Sequence, residues 1–292
     1  MPPDVPVVAA EGLRKVYRSG FLGRVRHAAL EDVTLRAGPG EALAILGPNG
    51  SGKTTLLKVL LGLLRPTAGS VAVLGRSPGH PEALSRTGYM SESPGFLPRL
   101  TGLESLRLAG RLFRIARRDA AERAGRLLDR FGLSADAGRP VGQYSFGMRK
   151  RLALAQALIN DPALLILDEP TAGLDPESAA TVQDLVRDRA AAGKTVLFSS
   201  HLLERAEAVA TGVCILHRGR VALSGSLADV AGIPGAFDLR IRGQDPSAAA
   251  EVLRRAGFAV ESSRPAAESL QEVFLRKTRG SEQGKIDRRG EA

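Results

Sequence analysis

Apolar residues near the start of the chain alternate or run together over strand-like lengths at Val5–Leu13, Ala28–Leu35 and Glu41–Leu46, and predict three strands. After the third, a glycine-rich turn intervenes and the apolar spacing becomes helical from Thr54 to Leu64. Short strands are predicted at Ser70–Leu74 and Thr87–Met90. From Leu103 to Phe131 the texture is helical, rich in Leu, Ala and Arg. The sheet pattern returns at Ala163–Leu167, an unbroken apolar run of the kind found where both faces of a parallel strand are covered. A helix at about Pro176–Ala192 leads into a similar strand, Thr195–Ser199.

Beyond Gly225 the pattern restarts on a smaller scale. Strands are expected at Phe237–Ile241 and Phe258–Glu261, and helices at Pro246–Ala256 and Glu268–Lys277. The charged, glycine-containing end, Thr278–Ala292, is expected to be disordered. The fold class is therefore α/β. A first domain is expected over residues 1–225, a small α+β domain over 226–280 and a tail over 281–292.

Composition narrows the class. The 292 residues are 43% hydrophobic and 25% charged, ordinary for a folded domain. No stretch approaches the roughly 18 apolar residues needed to cross a bilayer. The Met-Pro-Pro-Asp start lacks the features of a secretion signal, so a cytoplasmic protein is expected. The single cysteine, Cys214, lies in an apolar run and reads as a core residue on a strand. A formal charge of +10 suits a nucleic acid, an anionic membrane or an acidic partner. With 4% aromatics and no Trp, stacking platforms for single strands are not evident, and no nucleic-acid partner is expected.

The glycine-rich turn carries chemistry. Gly47-Pro48-Asn49-Gly50-Ser51-Gly52-Lys53-Thr54, followed by Thr55, meets every requirement of a phosphate-binding loop, with a strand before it and a helix after. Its glycines let backbone N–H groups turn toward phosphate oxygens, Lys53 reaches the β- and γ-phosphates, and the Thr54 hydroxyl is suited to Mg²⁺. The next helix points its positive end at the same anions. A second apolar strand ends in Asp168-Glu169, which predicts Asp168 as a magnesium ligand and Glu169 as the base that orients an attacking water.

Between these halves stands Tyr144-Ser145-Phe146-Gly147-Met148-Arg149-Lys150-Arg151, directly before a helical run ending at Asn160. It resembles the signature loop of ATP-binding cassette (ABC) proteins. Ser145 and Gly147 match that motif, while Phe146 replaces its first Gly and Met148 its usual Gln. The resemblance covers about residues 5–225 and implies a P-loop ABC ATPase core: a mixed sheet with helices, an antiparallel β subdomain, and a helical subdomain inserted at about 93–160. It implies that Ser145, Phe146, Gly147 and Met148 cap the γ-phosphate held by a second subunit. It further implies that Tyr17 stacks on adenine, that Asp175 in Thr171-Ala172-Gly173-Leu174-Asp175 links the two sites, and that His201 is the switch histidine. Glu92 stands where the family usually has a Gln ligand of magnesium and water, adding a negative charge near the phosphates.

The segment Pro98–Glu104, the signature and the ending Ser269–Arg276 resemble the branch of drug, antibiotic and polysaccharide exporters, in which ATPase and permease are separate chains. The resemblance thus implies an ATP-hydrolysing subunit using ATP and Mg²⁺. Its partners would be integral membrane permease subunits and a second copy of itself or a related cassette, and it would sit peripherally on the inner face of the membrane. Phe96, Leu97 and Leu100, beside Arg107, Arg111, Arg114, Arg117 and Arg118, are the candidate socket for a permease helix. The competing reading is a non-transport cassette acting on nucleic acid or the ribosome. Ribosome-type relatives carry two cassettes where this sequence has one P-loop, and DNA-repair relatives insert coiled coils or zinc cysteines that the interval from Thr54 to Ser145 lacks.

Overall fold

The computed structural model describes residues 5–19, 25–231, 246–256 and 259–260. The chain divides into two compact units, Met1–Ala231 and Gly232–Ala292.

The first unit is built on two sheets. β1 (Val8–Ser19), β2 (Val25–Ala37) and β4 (Ala68–Val73) form an antiparallel sheet in the order β2-β1-β4. The larger sheet holds β3 (Ala42–Leu46), β5 (Thr87–Met90), β6 (Leu164–Leu167), β7 (Thr195–Ser200), β8 (Gly212–His217) and β9 (Arg220–Ser226). Its order is β5-β6-β7-β3-β8-β9, and every pairing is parallel except β8 with β9. β3, β6 and β7 are buried along their whole length, which is why their sequences run apolar rather than alternating.

Helix α1 (Lys53–Leu60) follows β3 and buries Leu56, Leu57, Val59 and Leu60 in a cluster shared with Leu13, Leu30 and Ile166. Helix α2 (Pro81–Ser85) is a short connector to β5. On the other face of the large sheet pack α3 (Gly102–Leu112), α4 (Arg117–Arg130), α5 (Phe146–Ala157) and α6 (Pro176–Ala191), around Leu106, Leu128, Phe131, Leu152, Leu165 and Phe198. Short helices α7 (Leu203–Glu207) and α8 (Leu227–Ala231) complete this unit. Thr101 and Glu104 form a capping box at the start of α3, satisfying two N–H groups the helix leaves open.

The expected helical stretch Leu103–Phe131 is two helices. The chain breaks after Leu112, and Arg114 adopts φ 59 with no Gly or Pro to mark the turn. α3 and α4 then approach closely at Gly110, where an added Cβ would lie 2.8 Å from Ala120 Cβ. α1 ends at Leu60 rather than at Leu64, because Gly62 turns the chain at φ 73.

In the second unit, α9 (Pro246–Arg255) meets the helix expected there. Of the expected strand Phe258–Glu261, Ala259 and Val260 carry no regular structure and the other two lie outside the described residues. The expected strand Phe237–Ile241, helix Glu268–Lys277 and tail also lie outside them. No helix among the described residues is long and apolar enough to cross a membrane.

Two glycines test this packing in opposite directions. Gly110→Leu should destabilise by about 1–3 kcal/mol through overpacking against α4. Gly125, exposed within α4 with nothing within 4 Å of an added Cβ, should gain about 0.5–1 kcal/mol as Ala. Urea unfolding midpoints of the two variants check both signs.

Candidate functional site

Four parallel strands end together and deliver the candidate residues to one edge of the sheet. In the register, Met90 pairs with Leu167, Leu167 with Phe198, and Leu46 with Ser200. Gly47 therefore leaves β3, Glu92 follows β5, Asp168 and Glu169 follow β6, and His201 follows β7 at the carboxyl edge, where open α/β sheets bind ligands.

The loop from Gly47 to Gly52 requires its glycines. Gly47, Gly50 and Gly52 have φ of 150, 79 and 108. A Cβ on Gly47 would meet Leu216 O at 2.2 Å, and one on Gly52 would meet Ala29 O at 2.5 Å. Lys53 is buried, and its ammonium donates to Gly47 O at 2.7 Å and Pro48 O at 3.4 Å. It also lies 3.4 Å from Glu169 Oε1. Thr54 and Thr55 are partly buried at the start of α1. Tyr17 of β1 is 38% exposed, and its hydroxyl lies 3.5 Å from Thr55 Oγ1. Pro48, Asn49 and Gly50 are accessible on the loop, while the Ser51 hydroxyl is buried and finds no partner.

Glu169 sits at the centre. Its carboxylate is buried between Lys53 and His201, whose Nδ1 lies 2.9 Å from Glu169 Oε2. Glu169 Oε1 has no hydrogen-bond partner, and the backbone is left-handed at φ 47, a conformation that costs a non-glycine residue about 1–2 kcal/mol. Ser199 of β7 steadies this turn. Its hydroxyl accepts from the Glu169 N–H at 2.8 Å and donates to Asp168 Oδ1 at 2.6 Å. Asp168 itself is 1% exposed, and its N–H donates to Met90 O.

The signature residues stand elsewhere on the fold. Ser145 caps α5, accepting from the Met148 N–H at 3.2 Å. Ser145 and Phe146 are exposed, and Gly147 and Met148 are partly buried. Asp175 caps α6 by accepting from the Ser178 N–H and hydroxyl, bonds that hold its carboxyl below the usual range. Glu92 is exposed beyond β5.

Two residues at this site escape the sequence reading. Ser199 looks like one of two small polar residues ending a strand. Lys150 sits among three basic residues, yet it is 1% exposed and donates to Glu169 O at 2.8 Å and Ala172 O at 2.6 Å. Helical phase is its only signal, since Lys150 shares a face with Leu154 and Ala157.

The loop fits a nucleotide and its metal. A backbone turned by three positive-φ glycines, a buried Lys ammonium and the partnerless Ser51 hydroxyl suit phosphate oxygens. Thr54 and Asp168 offer the hard oxygen donors that Mg²⁺ takes.

Comparison with known proteins identifies the family. Residues 30–172 match the family model described as ABC transporter. An uncharacterised ABC transporter ATP-binding protein of Nostoc sp. is 43% identical over 241 residues, spanning 82% of this chain and 71% of that one. The chain belongs to the ABC transporter family. Its place there is that of an ATP-binding subunit, and its activity is that of an ATPase. The Nod factor export ATP-binding protein I of Cupriavidus metallidurans is 37% identical over 73% of this chain and 69% of its own. A dimeric ATP-binding cassette in a post-hydrolysis state, bound to ADP and Pi, superposes with TM-score 0.69 at 28% identity, over 75% of this chain and 98% of its own. The expected core, with its mixed and antiparallel sheets, is the ABC ATPase fold.

Ser199→Ala should leave the buried Glu169 N–H without a partner and destabilise by about 1–3 kcal/mol. Chemical unfolding together with steady-state ATP turnover checks this, and turnover should fall with stability.

Proposed function

We propose that this subunit closes on ATP as a dimer and drives a separate membrane permease, in the direction of export, from the cytoplasmic face of the membrane. The observation that carries the reading is the buried Glu169 carboxylate, held between Lys53 and His201 at the sheet's carboxyl edge. That position suits a base which orients water against a phosphate cradled by Gly47–Thr55. Lys53 binds the β- and γ-phosphates, and Tyr17 stacks on the adenine. His201 holds Glu169 on the side away from Lys53 and contacts the γ-phosphate. Thr54, Asp168 and Glu92 are the residues that would hold Mg²⁺, which when bound neutralises charge on the phosphate oxygens.

Ser145, Phe146, Gly147 and Met148 present the start of α5 outward, which supports their use by the nucleotide of a second subunit rather than of their own. Asp175 then lies between the two sites. The direction of transport is drawn from the Nod factor export relative.

The candidate permease socket needs one correction. Phe96 is partly buried against the core formed by α3 to α6, so it is a packing residue. Leu100 is also partly buried; the exposed apolar side chains of this segment are Leu97 at 60%, Leu108 at 39% and Leu112 at 77%, and Arg107, Arg111, Arg114, Arg117 and Arg118 are exposed as well. Such a surface suits an amphipathic helix of a membrane partner.

Glu169→Gln should bind ATP normally, accumulate as an ATP-bound dimer and turn over at least about a hundredfold more slowly. Gel filtration with ATP and a phosphate-release assay read the two effects, and wild-type turnover would remove Glu169 as the base. Ser145→Arg should bind ATP as a monomer without dimerising, so an intact ATP-driven dimer would overturn the signature reading. Leu97→Asp combined with Leu112→Asp should keep ATP binding and lose co-sedimentation with permease-containing membranes. Retained co-sedimentation would place the docking surface elsewhere.

A further inference from the structure

The most unusual charge in the fold is Lys150. Its ammonium is on α5, nearly sealed from solvent, and no carboxylate forms an ion pair with it among the described residues. Burying a cation in this way is costly unless its donors are satisfied by strong acceptors. Two of its three N–H groups go to backbone carbonyls, those of Glu169 and Ala172. These bracket the turn Glu169-Pro170-Thr171-Ala172, in which Glu169 takes a left-handed conformation unfavourable for a residue with a Cβ.

Phe146, one turn earlier on α5, closes the arrangement. Its ring centroid lies 5.4 Å from Lys150 Nζ, within cation–π range. The same ring covers Gly173, which has φ 70; a Cβ there would come 2.8 Å from Phe146 Cε1. The side chain is still 46% exposed, so it rests on this turn without being part of the core. Phe146, Lys150, Ala172 and Gly173 thus form a clasp between the first turn of α5 and the chain leaving Asp168-Glu169.

The geometry assigns Lys150 the role of a positioning residue that, together with Phe146, holds the turn presenting the Glu169 carboxylate. This inference rests on the reading of Glu169 as the base. Nearby carboxylates offset part of the cost of burying the cation. Burial pulls the Lys150 ammonium below the usual range, while the negative charges of Glu92, Glu169 and Asp168, in that order, oppose the shift. Glu92, where a neutral Gln would contribute no charge, is the largest of these opposing influences. Lys150 touches neither nucleotide nor water in this role and acts through the backbone of Glu169.

A KM-against-kcat split tests the assignment. Lys150→Met keeps an unbranched apolar stem and removes both hydrogen bonds. It should lower kcat for ATP about tenfold to a hundredfold, since small misplacements of a catalytic group cost this much, with KM and ATP affinity within about twofold of wild type. In a Glu169→Gln background the same change should have no further effect on residual turnover, because both act through one carboxylate. Hydrogen exchange of the peptide carrying Ala172 and Gly173 should quicken in Lys150→Met. Phe146→Gly, at a half-exposed position, should quicken the same hydrogen exchange more weakly even if Lys150→Met folds poorly. Wild-type exchange in Phe146→Gly, or an equal loss from Lys150→Met with and without Glu169→Gln, would overturn the clasp. A Glu169→Gln protein with wild-type turnover would instead remove the base reading and leave the exchange result standing.

Discussion

The structure depends on the register of its parallel strands. Met90, Leu167, Ser200 and Leu46 close their strands along one edge, where Glu92, Asp168, Glu169, His201 and Gly47 follow within one or two residues. Because strand side chains alternate faces, a slip of one residue would turn Asp168 out of reach of Ser199 and reverse which of Asp168 and Glu169 meets the loop. The slip is prevented by burial on both sides. α1 with the antiparallel sheet covers one face, the helices α3 to α6 cover the other, and each strand residue has a place to fill. Packing far from the site thus sets distances within it.

That edge concentrates opposite charges that compete for partners. Lys53 is shared among Gly47 O, Pro48 O and Glu169, none of which matches a phosphate in charge. On the proposed reading, an arriving phosphate draws Lys53 away and leaves the Glu169 carboxylate paired with His201. The ion pair between two buried side chains is then a holding arrangement, stable enough to keep both groups ordered and weak enough to be exchanged.

Much of this was legible in the sequence because the physics is local. The glycines at 47, 50 and 52 are demanded by the loop's own backbone, and the run Leu164–Leu167 needs no context to be read as a covered strand. What was hidden has identifiable causes. β1 continues to Ser19, but register shifts beginning between Ala10 and Leu13, with Gly12 at φ 57, break the alternation that marks a strand. The end of α1 is masked by apolar residues on both sides of Gly62. The socket was read with Phe96 outward because periodicity cannot say which apolar side chains of an irregular segment turn in. Ser199 and Lys150 gain their meaning from partners 30 and 19 residues away, which no local pattern encodes.

Cys214 has a practical consequence. It lies fully buried in β8, and burial pushes its thiol up to about 11, so at neutral pH it is a protonated group shielded from solvent. The chain is therefore already a quiet background for thiol chemistry. A cysteine introduced at an exposed position would take a maleimide dye or a spin label selectively, and the proposed subunit closure could be followed by fluorescence or dipolar distances without first removing a native residue.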